Sequence, residues 1–179
     1  MGLRHSLPRI WLVTDERQGD RLLEAVDWLP PRAGILFRHY SLAEVQRRTL
    51  FGTVRARRND ATLLLAGPPE LARLWGADGW HGPQCGEGLH SASVHDLKEL
   101  RRAEAGGAAL LFVSPVFPTR SHPGASGLGP RRFASLARQA RRPVIALGGV
   151  TSRNAPRLLR LGAYGWAGID AWMEPRTGG

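Results

Sequence analysis

The residues of this 179-residue chain best suited to chemistry stand where its apolar runs end. Gly148-Gly149 closes one such run, and Thr151 opens the helical stretch behind it. A glycine pair lets the backbone come close to a ligand, and the free amides of a helix start face an anion. Taken alone the pair also reads as a tight turn. The segment 118–129 (Pro118-Thr-Arg-Ser-His-Pro-Gly-Ala-Ser-Gly-Leu-Gly129) is long for a connection between a strand and a helix. Its Thr119, Ser121 and Arg120 suit charge-assisted bonds to phosphate, and its glycines suit a hinge; a plain surface loop is the alternative. His122 in the same loop is of the residue type whose ordinary pKa lies near working pH. Other run ends carry Thr14 and Asp15, Arg38 and His39, Gly67, His81, Ser93 and His95, and Ile169 with Asp170. His81 and His95 lack the spacing and the number of partners a metal needs, so they read as hydrogen-bonded packing histidines.

These positions fall into a repeating pattern of strand, loop and helix. Apolar strands are expected at 9–14, 34–38, 61–66, 79–82, 89–94, 109–117, 143–148 and 164–169. Between them lie helical stretches: 20–29, one capped by Ser41 with Glu44 as a capping box and running towards Arg58, one opening at Pro68-Pro69, one opening at Asp96, one through Phe133 and Leu136, and one from Thr151 to Leu161. Continuous apolar strands alternating with amphipathic helices indicate a parallel sheet covered on both faces. Eight such strands favour a closed TIM-type (β/α)8 barrel, whose site lies at the carboxyl ends of the strands, with phosphate held after strands seven and eight. The length corresponds to a single domain, 1–179, short for a barrel of usually ~250 residues. Only residues 170–179 follow the last strand, so the barrel is expected to be truncated at its C-terminal helix, leaving apolar surface that a second copy in a homodimer could cover.

Composition narrows the function classes. The formal net charge is +10, and Lys98 is the only lysine among 25 basic residues. The arginines, Arg47, Arg48, Arg55, Arg57, Arg58, Arg101 and Arg102 among them, are spread along the helices without interleaved aromatics. That is expected of a solvated surface that attracts phosphate, and makes nucleic acid an unfavoured partner. Cys85 is the lone cysteine, which excludes a disulfide framework and fits a reducing cytoplasm. No apolar run reaches the ~18 residues of a membrane span, and the amino terminus has no apolar signal core.

Several short motifs, in the right order from about residue 9 to residue 171, resemble the thiamine phosphate synthase and thiazole tautomerase superfamily. They are Ile10-Trp-Leu-Val-Thr-Asp15, Gly76-Ala-Asp-Gly-Trp-His81, Ser93-Val-His95, Ser114-Pro-Val-Phe-Pro-Thr119, and Pro143-Val-Ile-Ala-Leu-Gly-Gly149 with Asn154 and Gly162-Ala163. The resemblance implies a barrel that joins hydroxymethylpyrimidine pyrophosphate to thiazole phosphate, releasing pyrophosphate. It implies pyrophosphate contacts from Arg38, Ser93 and Thr119, and thiazole-phosphate contacts from Gly148, Gly149 and the amides near Ile169 and Asp170. Such catalysis rests on positioning and electrostatics.

The chain departs from that pattern at defined places. Gly67 and Gly86 stand where the family puts aspartates on Mg2+, with Glu70 and Glu87 nearby but out of register. A hard divalent ion wants carboxylate oxygens, so the usual magnesium ligands are absent. His39 and Tyr40 replace an acidic-basic pair, His122 a lysine with Ser121 as the second hydroxyl, and Asp170 a phosphate-binding serine. Pro115 occupies the place of the tautomerase histidine. Two function classes follow: a synthase-like transferase with altered metal handling, and a catalytically weakened paralogue that acts as a tautomerase or binds thiazole phosphate or thiamine phosphate.

Overall fold

The structure, a computed structural model, describes residues 7–119 and 127–173. Eight parallel strands close in sequence order: β1 (Ile10–Val13), β2 (Gly34–Phe37), β3 (Thr62–Ala66), β4 (Gly79–His81), β5 (Leu89–Val94), β6 (Leu110–Val113), β7 (Val144–Ala146) and β8 (Gly165–Gly168), with β8 pairing back onto β1. The expected TIM-type barrel is therefore formed. Its helices are α1 (Leu22–Asp27), α2 (Glu44–Arg57), α3 (Pro69–Trp75), α4 (Leu97–Ala105), α5 (Gly129–Gln139) and α6 (Ala155–Arg160).

Strand alternation sorts the apolar residues into two layers. Trp11, Val13, Leu36, Leu64, Leu89, Leu110, Phe112 and Ile145 fill the barrel interior. Leu12, Ile35, Phe37, Leu63, Leu65, Leu111 and Val113 face outward onto the helices, where Phe51, Val54, Leu100, Phe133 and Leu158 cover them. Trp11 is large for the interior, and Gly34 beside it makes the room: a Cβ at Gly34 would stand on the indole ring. The Trp11 ring is fixed edge-on to Phe112, and its Nε1–H donates to Pro8 O at 2.8 Å.

Four local features differ from the sequence reading. The sixth strand ends at Val113, short of residue 117, because Pro115 has no N–H for the ladder. The chain beyond it still donates from Val116 and Phe117 to Leu147 O and Gly148 O. Ser41 does not cap α2; its N–H and hydroxyl both donate to Glu16 Oε1, and the cap position is Ala43. The helix after the seventh strand starts at Ala155, since residues 152–154 form a turn and the Thr151 N–H donates to Asn154 Oδ1. Arg47 is not a solvated surface cation. It is buried, donating to Arg38 O at 2.7 Å and Ala66 O at 2.6 Å, with its guanidinium over the Trp75 and Tyr40 rings.

Two connections shape the ends of the barrel. β4 and β5 are joined by the loop 82–88 instead of a helix. There Trp80 and His90 stack at 4.9 Å on the outer face. After β8 the described chain makes only the 3-10 turn Asp170–Trp172. Trp172 folds back over Trp166, ring planes 6° apart, and its Nε1–H donates to Trp11 O. One indole thus covers part of the face a final helix would occupy.

Candidate active site

Seven of the nine residues expected to act in catalysis or phosphate binding line one cavity of about 470 Å³ at the carboxyl ends of the strands: Arg38, Ser93, Thr119, Gly148, Gly149, Ile169 and Asp170. Ser121 and His122 lie outside the described residues. A second cavity of about 420 Å³ adjoins the first. It is bounded by Tyr40, Gly67, His81, Gln84 and His90, and it shares Ser93 and His95 with its neighbour. Ser93 therefore stands on the wall between two compartments.

The floor of the larger cavity is the turn after β7. Gly148 and Gly149 have φ of +91° and +62°, a left-handed conformation that costs other residues energy. The space a Cβ would take is filled by the chain after β6: Pro115 Cα lies 2.6 Å from the Gly148 position, and Pro118 O 2.8 Å from that of Gly149. The glycines thus allow close approach of Pro115–Pro118, rather than of an open ligand space as the sequence suggested. Asn154 holds the turn from behind: its Oδ1 accepts from Thr151 N–H at 2.8 Å, and its Nδ2 donates to Gly149 O at 2.9 Å. The N–H groups of Gly148, Gly149 and Val150 make no hydrogen bond among the described residues. Successive free amides on such a turn form an anion-binding concavity. The donors expected from a helix opened by Thr151 are replaced by this turn.

A charged cluster flanks the floor. Arg38 Nη2 donates to Asp15 Oδ2 and Arg17 Nε to Asp15 Oδ1, each at 2.8 Å. Burial works to raise the Asp15 pKa, but the Arg17 hydrogen bonds and the Arg17 and Arg38 charges outweigh it and hold the carboxyl below its ordinary range. Arg38 keeps a buried Nε–H that has no partner among the described residues. The half-exposed Asp170 carboxylate, which lines the cavity, lies 3.8 Å from Arg17 Nη1. Gln18, unnoticed in the sequence, donates from Nε2 to Ile169 O at 3.4 Å.

His81 is buried, as expected of a packing histidine, and both its nitrogens are bonded: Nδ1 to Ser91 Oγ and Nε2 to Ser93 Oγ, each at 2.9 Å. Burial first, then the nearby Arg38 and His90 charges, push its pKa down to about 3, so the ring is neutral. His95 is not a packing residue. Its side chain is half exposed, and Nδ1 and the backbone N–H both face Glu99 Oε2.

The donor set does not suit a hard divalent ion. Asp15 is already neutralised by two arginines, and Glu70 and Glu87 line neither cavity. No group of three His, Cys, Asp or Glu converges among the described residues.

Comparison with known proteins gives the family and the fold. The chain matches the family TMP-TENI, thiamine monophosphate synthase, over residues 11–172. A relative from Aquifex aeolicus, named provisionally as a thiamine-phosphate synthase 2, is 29% identical over 185 residues, covering 94% of this chain and 100% of that protein. The thiamine-phosphate synthase of Methanocella arvoryzae is 42% identical over 83 residues, which are 44% of this chain and 38% of that one. Among solved structures, thiamine phosphate pyrophosphorylase from Pyrococcus furiosus superposes with a TM-score of 0.79 at 25% identity, covering 98% of this chain and 91% of that chain. The family match spans the whole barrel from β1 to the turn after β8, so this chain belongs to the thiamine monophosphate synthase family.

Proposed function

We propose that the chain joins hydroxymethylpyrimidine pyrophosphate to thiazole phosphate, giving thiamine phosphate and pyrophosphate. The observation that carries this reading is the larger cavity, which brings Arg38, Ser93 and Thr119 together with the turn after β7 and the chain at Ile169 and Asp170. A joining reaction needs two substrates held edge to edge, which two sets of anion donors around one cavity provide.

In this reading the Gly148–Val150 amides and the chain at Ile169 and Asp170 hold the thiazole phosphate. Arg38, Ser93 and Thr119 hold the pyrophosphate, with Ser121 and His122 as further contacts. The C–O bond to pyrophosphate breaks and its electron pair leaves with the pyrophosphate. The thiazole nitrogen then forms the new bond to the electron-poor methylene carbon. No protein nucleophile is required, and the Arg38 guanidinium offsets the charge that develops on the leaving group. Asp170 is the one carboxylate among the described residues that line the larger cavity, so guanidinium and amide donors carry the charge in this reading and no step is assigned to magnesium. The same scarcity of carboxylates favours a second reading, a phosphate-binding protein without turnover. Incubation with both substrates, with and without Mg2+, separates the two. Thiamine phosphate and pyrophosphate appearing in equal amounts support the transferase; binding of both substrates without product supports the binding protein.

A further inference from the structure

We propose that Ser91, His81 and Ser93 form a reversible hydrogen-bond relay, which turns the Ser93 hydroxyl toward a bound anion by switching the tautomer of His81. The proposal rests on the reading of Ser93 as an anion contact. Parallel pairing puts His81 opposite Ser91, and Ser93 follows two residues later on the same inward face. The three side chains thus stand in line, with 2.9 Å on either side of the imidazole.

The polarity of the line follows from its closed end. Ser91 Oγ donates to Trp80 O at 3.3 Å, which uses its only proton. Oγ must then accept from His81 Nδ1–H. A neutral imidazole protonated at Nδ1 offers a lone pair at Nε2, and that nitrogen accepts the Ser93 proton. In this polarity Ser93 shows only lone pairs to the cavities, which repel an anion. The opposite polarity is also fully bonded at the ring: Ser91 donates to Nδ1, Nε2–H donates to Ser93 Oγ, and the Ser93 proton is free for a ligand. Only the long Ser91 to Trp80 bond is given up. An anion beside Ser93 supplies a charge-assisted bond in its place, which is the stronger of the two. Three protons are present in both polarities; Nδ1 loses one and Nε2 gains one, by exchange with water in the cavity. The ring stays neutral throughout, consistent with its depressed pKa. His81 is thereby a positioning residue and never touches the substrate.

The test uses the full chain labelled with 15N-histidine, with inorganic pyrophosphate as the probe. Long-range 1H–15N spectra report which ring nitrogen of His81 carries the proton. We expect Nδ1–H in the free protein and Nε2–H at saturating pyrophosphate. Ser91→Ala removes the partner of Nδ1–H, so the Nε2–H tautomer should dominate even without ligand. That variant should bind pyrophosphate about threefold tighter than the parent, the modest gain of one hydrogen bond set in advance. Pyrophosphate binding with no change of tautomer overturns the relay while leaving the proposed reaction standing. Unchanged or weaker affinity in Ser91→Ala also overturns it. A parent chain that fails to bind pyrophosphate overturns both.

Discussion

At the scale of single residues, two side chains make opposite predictions about charge. Asp170 lines the cavity proposed for the phosphates, with its carboxylate 3.8 Å from Arg17 across half-exposed surface. Solvent screens that carboxylate, while several backbone donors act together on the phosphate. Asp170→Ser should therefore tighten binding of thiazole phosphate, measured by calorimetry; unchanged or weaker affinity would show that Asp170 has another task. His81 bears on stability. Its folded pKa of about 3 lies below the 6.5 of the unfolded chain, so the unfolded state takes up the proton first as pH falls. The fold should keep this contribution above pH 6.5 and lose it progressively from there towards pH 3. His81→Gln should flatten that part of a plot of melting temperature against pH; a parallel curve would refute it. Arg38, Ser93 and Gly149 were legible in the sequence because each sits at the end of an apolar run. The role of Ser91 was not, since it depends on strand pairing across the loop 82–88.

At the scale of elements, the turn after β7 concentrates the prediction. Asn154 ties Thr151 and Gly149 together through two hydrogen bonds. Asn154→Ala should release the Gly148–Val150 amides from their shared orientation. The expected stability loss is about 1–3 kcal/mol, the usual range for two modest hydrogen bonds, read from urea unfolding. Thiazole-phosphate affinity should fall at least tenfold, far more than the stability loss explains while the protein remains folded. A variant that loses stability but keeps affinity would show that the turn does not hold the phosphate. Sequence periodicity suggested a helix from Thr151, because residues 151–161 have suitable spacing. What it could not show is that the Asn154 side chain would take the Thr151 amide and delay the helix to Ala155. Similarly, Ser41 matched a capping pattern, but Glu16 from a distant turn took its hydroxyl.

At the scale of the whole molecule, barrel closure was readable from eight apolar runs, since their order and continuity leave few alternatives. The arginine content was harder to read. Many arginines pair on the surface, as Arg57 does with Asp27 at 2.7 Å. Others are built into the fold: Arg58 donates to the carbonyls of Val26, Leu29 and Pro30, and Arg47 ties the ends of β2 and β3 together. Neither use leaves a trace in spacing or composition. With a net charge of +10 and the Asp15 carboxylate already neutralised, the protein should show no saturable Mg2+ binding in the micromolar range by calorimetry; saturation in that range would contradict the donor set described above.

The central claim is that both substrates meet in the larger cavity, the thiazole phosphate at the turn after β7 and the pyrophosphate at Arg38 and Ser93. A crystal structure of the protein with thiamine phosphate and pyrophosphate tests it most directly. The account predicts the thiamine phosphate group on the amides of Gly148, Gly149 and Val150, with pyrophosphate within hydrogen-bond reach of Arg38 and Ser93. Phosphate bound away from the turn after β7, or pyrophosphate bound away from Arg38 and Ser93, would contradict it.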